Sequence, residues 1–124
     1  MATNTSLTRA EHSRIRAHLR TLRTSLTQAR DALMHFKDDR VDRDKLEPAA
    51  RRVDDLMDMF GGAMRDSAQG LLWLAEIQSG VEQVTNPKSA EALEEARVDI
   101  AALRDVMALA KEGTATTVST HPAR

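Results

Sequence analysis

Apolar residues recur along this chain in steps of three and four and fall into three stripes. Ile15, Leu19, Leu22, Leu26, Ala29, Leu33 and Phe36 form the first. The second runs from Leu46, Ala49, Val53, Leu56 and Phe60 through Ala63, Ser67 and Gly70 to Leu74, Ile77, Val81 and Val84, and the third is Leu93, Ala96, Ile100, Leu103, Met107 and Ala110. Strict alternation of three and four is the a/d repeat that holds one side of an α-helix against partner helices. The pattern predicts an all-α fold, an antiparallel three-helix bundle with coiled-coil-like seams and a long middle helix.

Capping signals set the expected boundaries. Thr8-Arg9-Ala10-Glu11 fits a capping box, in which the threonine hydroxyl takes the amide three residues on and the glutamate reaches back. Helix one is expected over about 8–39, ending in the charged cluster Asp38 to Arg43. Asp44 or Glu47 can cap helix two, with Pro48 in the first turn, where no intrahelical amide bond is lost. Helix two is expected over 45–84, and helix three over 87–112, opened by Asn86-Pro87 or Ser89 and stopped by Gly113. Residues 114–124 have no periodic apolar content and are expected to form a disordered tail beyond a single domain at 1–113.

Helix two is the anomaly, since 40 residues at 1.5 Å each span roughly 60 Å, against about 48 Å for helix one and roughly 36 Å for helix three. Gly61-Gly62 lies near its middle and costs on the order of 2 kcal/mol relative to alanine. Because the apolar phase crosses the pair without a skip, a continuous helix bent there is preferred over a split into 45–60 and 63–84.

Composition narrows the chemistry. A chain of 124 residues is long enough for one core without metal or disulfide support. The absence of Cys excludes thiolate catalysis and cysteine metal sites. Residues 1–8 are polar and uncharged, and no apolar run reaches signal-peptide or membrane-span length, so the expectation is a cytoplasmic protein without membrane contact. Charge is nearly balanced at a net −1, but residues 1–30 hold six Arg against one Glu, leaving −6 for the remainder. An asymmetric chain of this kind presents one basic helix.

Four features are candidates for function. On helix one, Arg9, Arg16, Arg23, Arg30 and Lys37 recur every seven residues beside the seam, with Arg14 and Arg20 on the adjoining outer surface. Such a ridge can track a phosphate backbone. The plainer reading lays their stems over the seam and pairs them with Asp54, Asp55, Asp58 or Asp99. Leu71-Leu72-Trp73-Leu74 is apolar all round one turn, which asks for cover on every side and suggests self-association as a dimer. Met57, Met59 and Met64 flank the small seam of Ala63, Ser67 and Gly70, a soft surface that can repack around a foreign side chain or simply fill the core. Asp31, His35, Asp38 and Asp42 share an outward face at ion-binding spacing, but sit among Lys37, Arg40 and Arg43 and read as a solvated, salt-paired face.

Catalytic motifs are not found. There is no strand followed by a glycine-rich turn and no local Ser-His-acid grouping. His35 is followed by Phe36-Lys37-Asp38, without the lysine three positions on and the following glycine of a phosphotransfer histidine motif. No cofactor is expected and no family resemblance is drawn. The sequence points to a non-enzymatic protein–protein interaction module, a small adaptor, regulator or inhibitor of the kind found among phage and plasmid accessory proteins. Its expected contact residues are Met57, Met59, Met64, Leu71, Leu72 and Trp73. The alternative is a nucleic-acid-binding regulator using Arg9, Arg14, Arg16, Arg20, Arg23 and Arg30.

Overall fold

The computed structural model describes residues 7–33, 40–62 and 66–123, those from 110 onward as backbone only. Four α-helices are packed together: α1 Arg9–Ala32, α2 Arg40–Gly61, α3 Ser67–Glu82 and α4 Ala90–Ala123, with a 3₁₀ turn over Pro87–Ser89 leading into α4. Helix α1 packs on α2 and α4, and α3 packs on the same two, while the diagonal pairs do not approach each other among the described residues. The contacts fix directions. His12, Arg23 and Arg30 of α1 meet Phe60, Asp54 and Glu47 of α2 in that order. Lys45 and Arg52 of α2 meet Gln83 and Glu76 of α3, and Gln78 and Glu82 of α3 meet Arg104 and Arg97 of α4. Each consecutive pair is antiparallel, and α4 closes the ring against α1.

The expected three-helix bundle therefore becomes a four-helix one, because the second stripe is cut after Gly61. The amide of Gly62 donates to the Met59 carbonyl at 3.2 Å, which tightens the end of α2, and Asp66 opens α3 by accepting from the Gln69 amide at 3.1 Å. The apolar phase carries across because the α3 seam begins at Ser67, seven residues after Phe60; even spacing is compatible with a reversal of direction. Residues 63–65, including Ala63 and Met64, lie outside the described residues.

Other boundaries move as well. Helix α2 starts at Arg40 rather than 45, so Pro48 sits inside the helix instead of in its first turn. An interior proline costs about 3 kcal/mol. Its neighbours anchor the segment: Leu46 and Ala49 are buried, and the Lys45 ammonium holds the Gln83 carbonyl at 3.3 Å. Helix α4 extends over Ala90–Ala123, past the stop expected at Gly113. Side chains of the expected tail, 114–124, are outside the described ones, as are Phe36 and the end of helix one placed at 39. The start of α1 is as expected: Thr8 Oγ1 accepts from the Glu11 amide at 3.0 Å and Glu11 Oε1 from the Thr8 amide at 2.9 Å.

Every described seam residue is buried except Ser67, which is half-buried. Phe60, Leu22, Leu56, Ile77 and Leu103 are fully excluded from solvent. The small seam is filled rather than open. A Cβ on Gly70 would lie 3.0 Å from Met107 Sδ and 3.2 Å from Phe60 Cε2, so the glycine makes room for a ring and a thioether. At Gly80 the approach is by backbone, with the Lys45 carbonyl 3.1 Å from the same position. Burial of this continuous apolar column is the dominant favourable term holding the helices together.

Two helix ends are completed from a neighbouring helix. The buried His12 ring of α1 bonds through Nε2 to the Phe60 carbonyl in the last turn of α2, and Lys45 of α2 reaches the Gln83 carbonyl at the end of α3. Carbonyls of a last turn have no intrahelical donor, and a cation there also complements the helix dipole.

Candidate functional site

The groove between α1 and α2 carries the most distinctive surface. Heptad spacing puts Arg9, Arg16, Arg23 and Arg30 on the side of α1 that faces α2. Two of the four are neutralised by α2: Arg30 Nη1 lies 3.6 Å from Glu47 Oε1, and Arg23 Nε 3.5 Å from Asp54 Oδ1. At this end of the groove Arg23, Leu26, Thr27, Arg30, Ala50, Val53 and Asp54 line an open cleft of about 100 Å³. Toward the other end a smaller cleft of about 60 Å³ is lined by Arg16, Leu19, Arg20 and Met57. No described acid lies within ion-pair distance of Arg9, Arg14, Arg16 or Arg20. All four are exposed. Arg14 does not join the others, since two residues along a 3.6-residue helix place it about 160° round the axis from Arg16.

The five described residues of the expected interface do not form one surface. Met57 is half-buried in the α1–α2 groove, whereas Met59, seven residues from Arg52, belongs to the side of α2 that faces α3. Met64 lies outside the described residues. Leu71 and Trp73 are partly buried against the core, and only Leu72 points outward, at 63% exposure. A turn of α3 that is apolar on most sides is thus mostly explained by its packing between α2 and α4.

Trp73 is roofed by Arg52, whose guanidinium carbon lies 5.4 Å from the ring centroid. Arg52 is itself fixed by Glu76 at 2.8 Å and Asp55 at 2.9 Å. The bond to Glu76, then that to Asp55, raises the guanidinium pKa still further, so the cation stays over the indole. Of the four acids expected to pair with the basic ridge only Asp54 does so: Arg30 takes Glu47 instead, Asp55 pairs with Arg52 of its own helix, no ion pair is formed by Asp58 among the described residues, and Asp99 meets a histidine. Asp99 is buried on the α1 side of α4, 2.9 Å from His18 Nδ1. Sequence reasoning missed His12, which continues the first stripe one step before Ile15 and could have been found by that spacing.

Of the outward acidic face, Asp31 and Asp42 are described and His35 and Asp38 are not; Asp42 is 3.5 Å from Lys45 Nζ. Among the described residues no group of three His, Asp or Glu side chains is placed to hold a metal ion. No helix among them is long and apolar enough to cross a membrane. Comparison with protein-family models, with curated proteins and with solved structures finds no match.

Proposed function

We propose that the protein is a non-enzymatic protein–protein interaction module, a small cytoplasmic adaptor, regulator or inhibitor, and that the basic end of the α1–α2 groove is where it meets its partner. The observation that supports this most is the juxtaposition of Arg16 and Arg20 with half-buried Met57 over the buried Leu19. Two cations without an acid, set on an adaptable thioether floor, suit a mixed polar and apolar protein surface. Aromatic stacking positions for bases are lacking there. The test is affinity capture with the tagged full chain from its native host, beside Arg16→Glu/Arg20→Glu. A stoichiometric protein recovered by the wild type and lost with the double variant is the expected result. Recovery of nucleic acid alone refutes the reading.

The nucleic-acid alternative rests on the four unpaired arginines, Arg9, Arg14, Arg16 and Arg20. Against it, Arg23 and Arg30 are already bound to α2, and Arg14 faces away from Arg16. Electrostatic binding of DNA or RNA is strongest at low salt. A gel shift there that is abolished equally by Arg14→Glu and Arg16→Glu would favour it. Self-association remains part of the proposal on the strength of Leu72 alone, since the length argument for an overhanging helix disappears with the split at Gly61.

A further inference from the structure

Antiparallel helices with matched heptads present a ladder of cross-pairs, and the α1–α2 ladder is incomplete. Its first rung is Arg30 with Glu47 and its second Arg23 with Asp54. Seven residues back along α1 and seven on along α2, the third rung sets Arg16 opposite Gly61. Glycine brings no acid. A Cβ built on Gly61 meets nothing within 4 Å among the described residues. One helical turn before Gly61 on α2, Met57 joins Arg16, Leu19 and Arg20 in lining the smaller cleft.

We infer that a partner protein supplies the missing acid: a carboxylate on an amphipathic helix of the partner takes the third rung against Arg16 and Arg20, while an apolar side chain one turn away settles on Met57. This rests on the interaction-module reading and adds the chemistry of the partner. A helix satisfies both requirements because residues three or four apart share a face. A phosphate backbone fits the groove less well, because beyond Arg16 it would run onto the carboxylates of Asp54 and Glu47, with the facing arginines already paired.

The test uses the full chain and a fluorescein-labelled helical peptide with Glu and Leu four residues apart on one face, followed by anisotropy. Its controls are the same peptide with Gln for Glu and a labelled DNA duplex. Binding of the Glu peptide is expected, about ten-fold weaker for the Gln peptide and weaker by a similar factor for Arg16→Glu. Gly61→Glu supplies the acid from within and should weaken binding as much, with the thermal melt showing that both variants remain folded. Arg14→Glu, on the other side of α1, should bind within about two-fold of wild type. Equal binding of Glu and Gln peptides, or undiminished binding by Gly61→Glu, overturns the inference, as does failure of the Glu peptide to bind at low salt. A protein partner captured from the host that is retained by Gly61→Glu would sink the inference while leaving the module reading intact; preference for the duplex would sink both.

Discussion

Gly70→Ala and Gly61→Ala are chemically the same substitution, and the structure expects opposite results. Alanine favours a helix over glycine by about 1 kcal/mol, partly by restricting the unfolded chain. At Gly70 the added methyl would sit 3.0 Å from Met107 Sδ and 3.2 and 3.3 Å from two carbons of the Phe60 ring. These are closer than ordinary contact, and both neighbours are fully buried, at 0% exposure. Overpacking of this kind costs about 1–3 kcal/mol. The flexible thioether can yield, but the ring, wedged between α2 and α3, cannot, so we expect a net loss of about 1 kcal/mol. That corresponds to about 4 °C in melting temperature for a domain of this size. At Gly61 no described atom opposes the gain, and its φ is not in the left-handed region. We expect up to about 1 kcal/mol of stabilisation there, less if the helix end frays. Urea unfolding followed by circular dichroism measures both. A double-mutant cycle sharpens the test: Met107→Ala should cost about 1 kcal/mol less in the Gly70→Ala background, because the deleted side chain makes room for the methyl. Stabilisation by Gly70→Ala, or additivity of the cycle within about 0.3 kcal/mol, would refute the packing of Phe60 and Met107 on Gly70.

Three further outcomes follow from named contacts. His12→Leu fills similar space but removes the donor to the Phe60 carbonyl, so it should destabilise by about 1–3 kcal/mol in urea unfolding, with partial recovery in His12→Gln; no loss would mean that carbonyl is satisfied elsewhere. Arg52→Ala removes the roof of the sole tryptophan, so iodide quenching of Trp73 should rise and its emission shift to the red; unchanged quenching would contradict the stacking. Sedimentation of wild type should show a dimer that Leu72→Glu dissociates, and identical monomers would end the self-association proposal.

The seams could be read from spacing because a/d periodicity reports directly which side of a helix is buried, and the described seam residues are almost all in the core. The number of helices could not be read from spacing alone. Phase is blind to a reversal of the chain, and Phe60 to Ser67 keeps the interval of seven across one. The signal that would have found the break was present: Asp66 followed three residues later by Gln69 is a helix opening, next to two glycines. Pro48 misled in the other direction, because proline at a first turn is the usual preference and tertiary anchoring of Lys45 and Leu46 overrides it here. The basic ridge was visible as a row, but its division into a neutralised half and a free half depends on which α2 residues face it. That required the antiparallel register.

The side chains that complete the ends of neighbouring helices make the folding reaction more cooperative than the apolar core alone would. Without α1, α2 loses the donor to its Phe60 carbonyl; without α2, α3 loses the cation at Gln83. Neither hairpin is a self-sufficient unit, since α1–α2 needs α3 and α4 to cover its seam and α2–α3 needs His12 to finish its first member. Local opening at the Gly61 turn should therefore propagate to the amino-terminal turn of α1 rather than stay confined. Hydrogen exchange would show the amides around His12 and those after Met59 released together, as one unit with a common opening free energy.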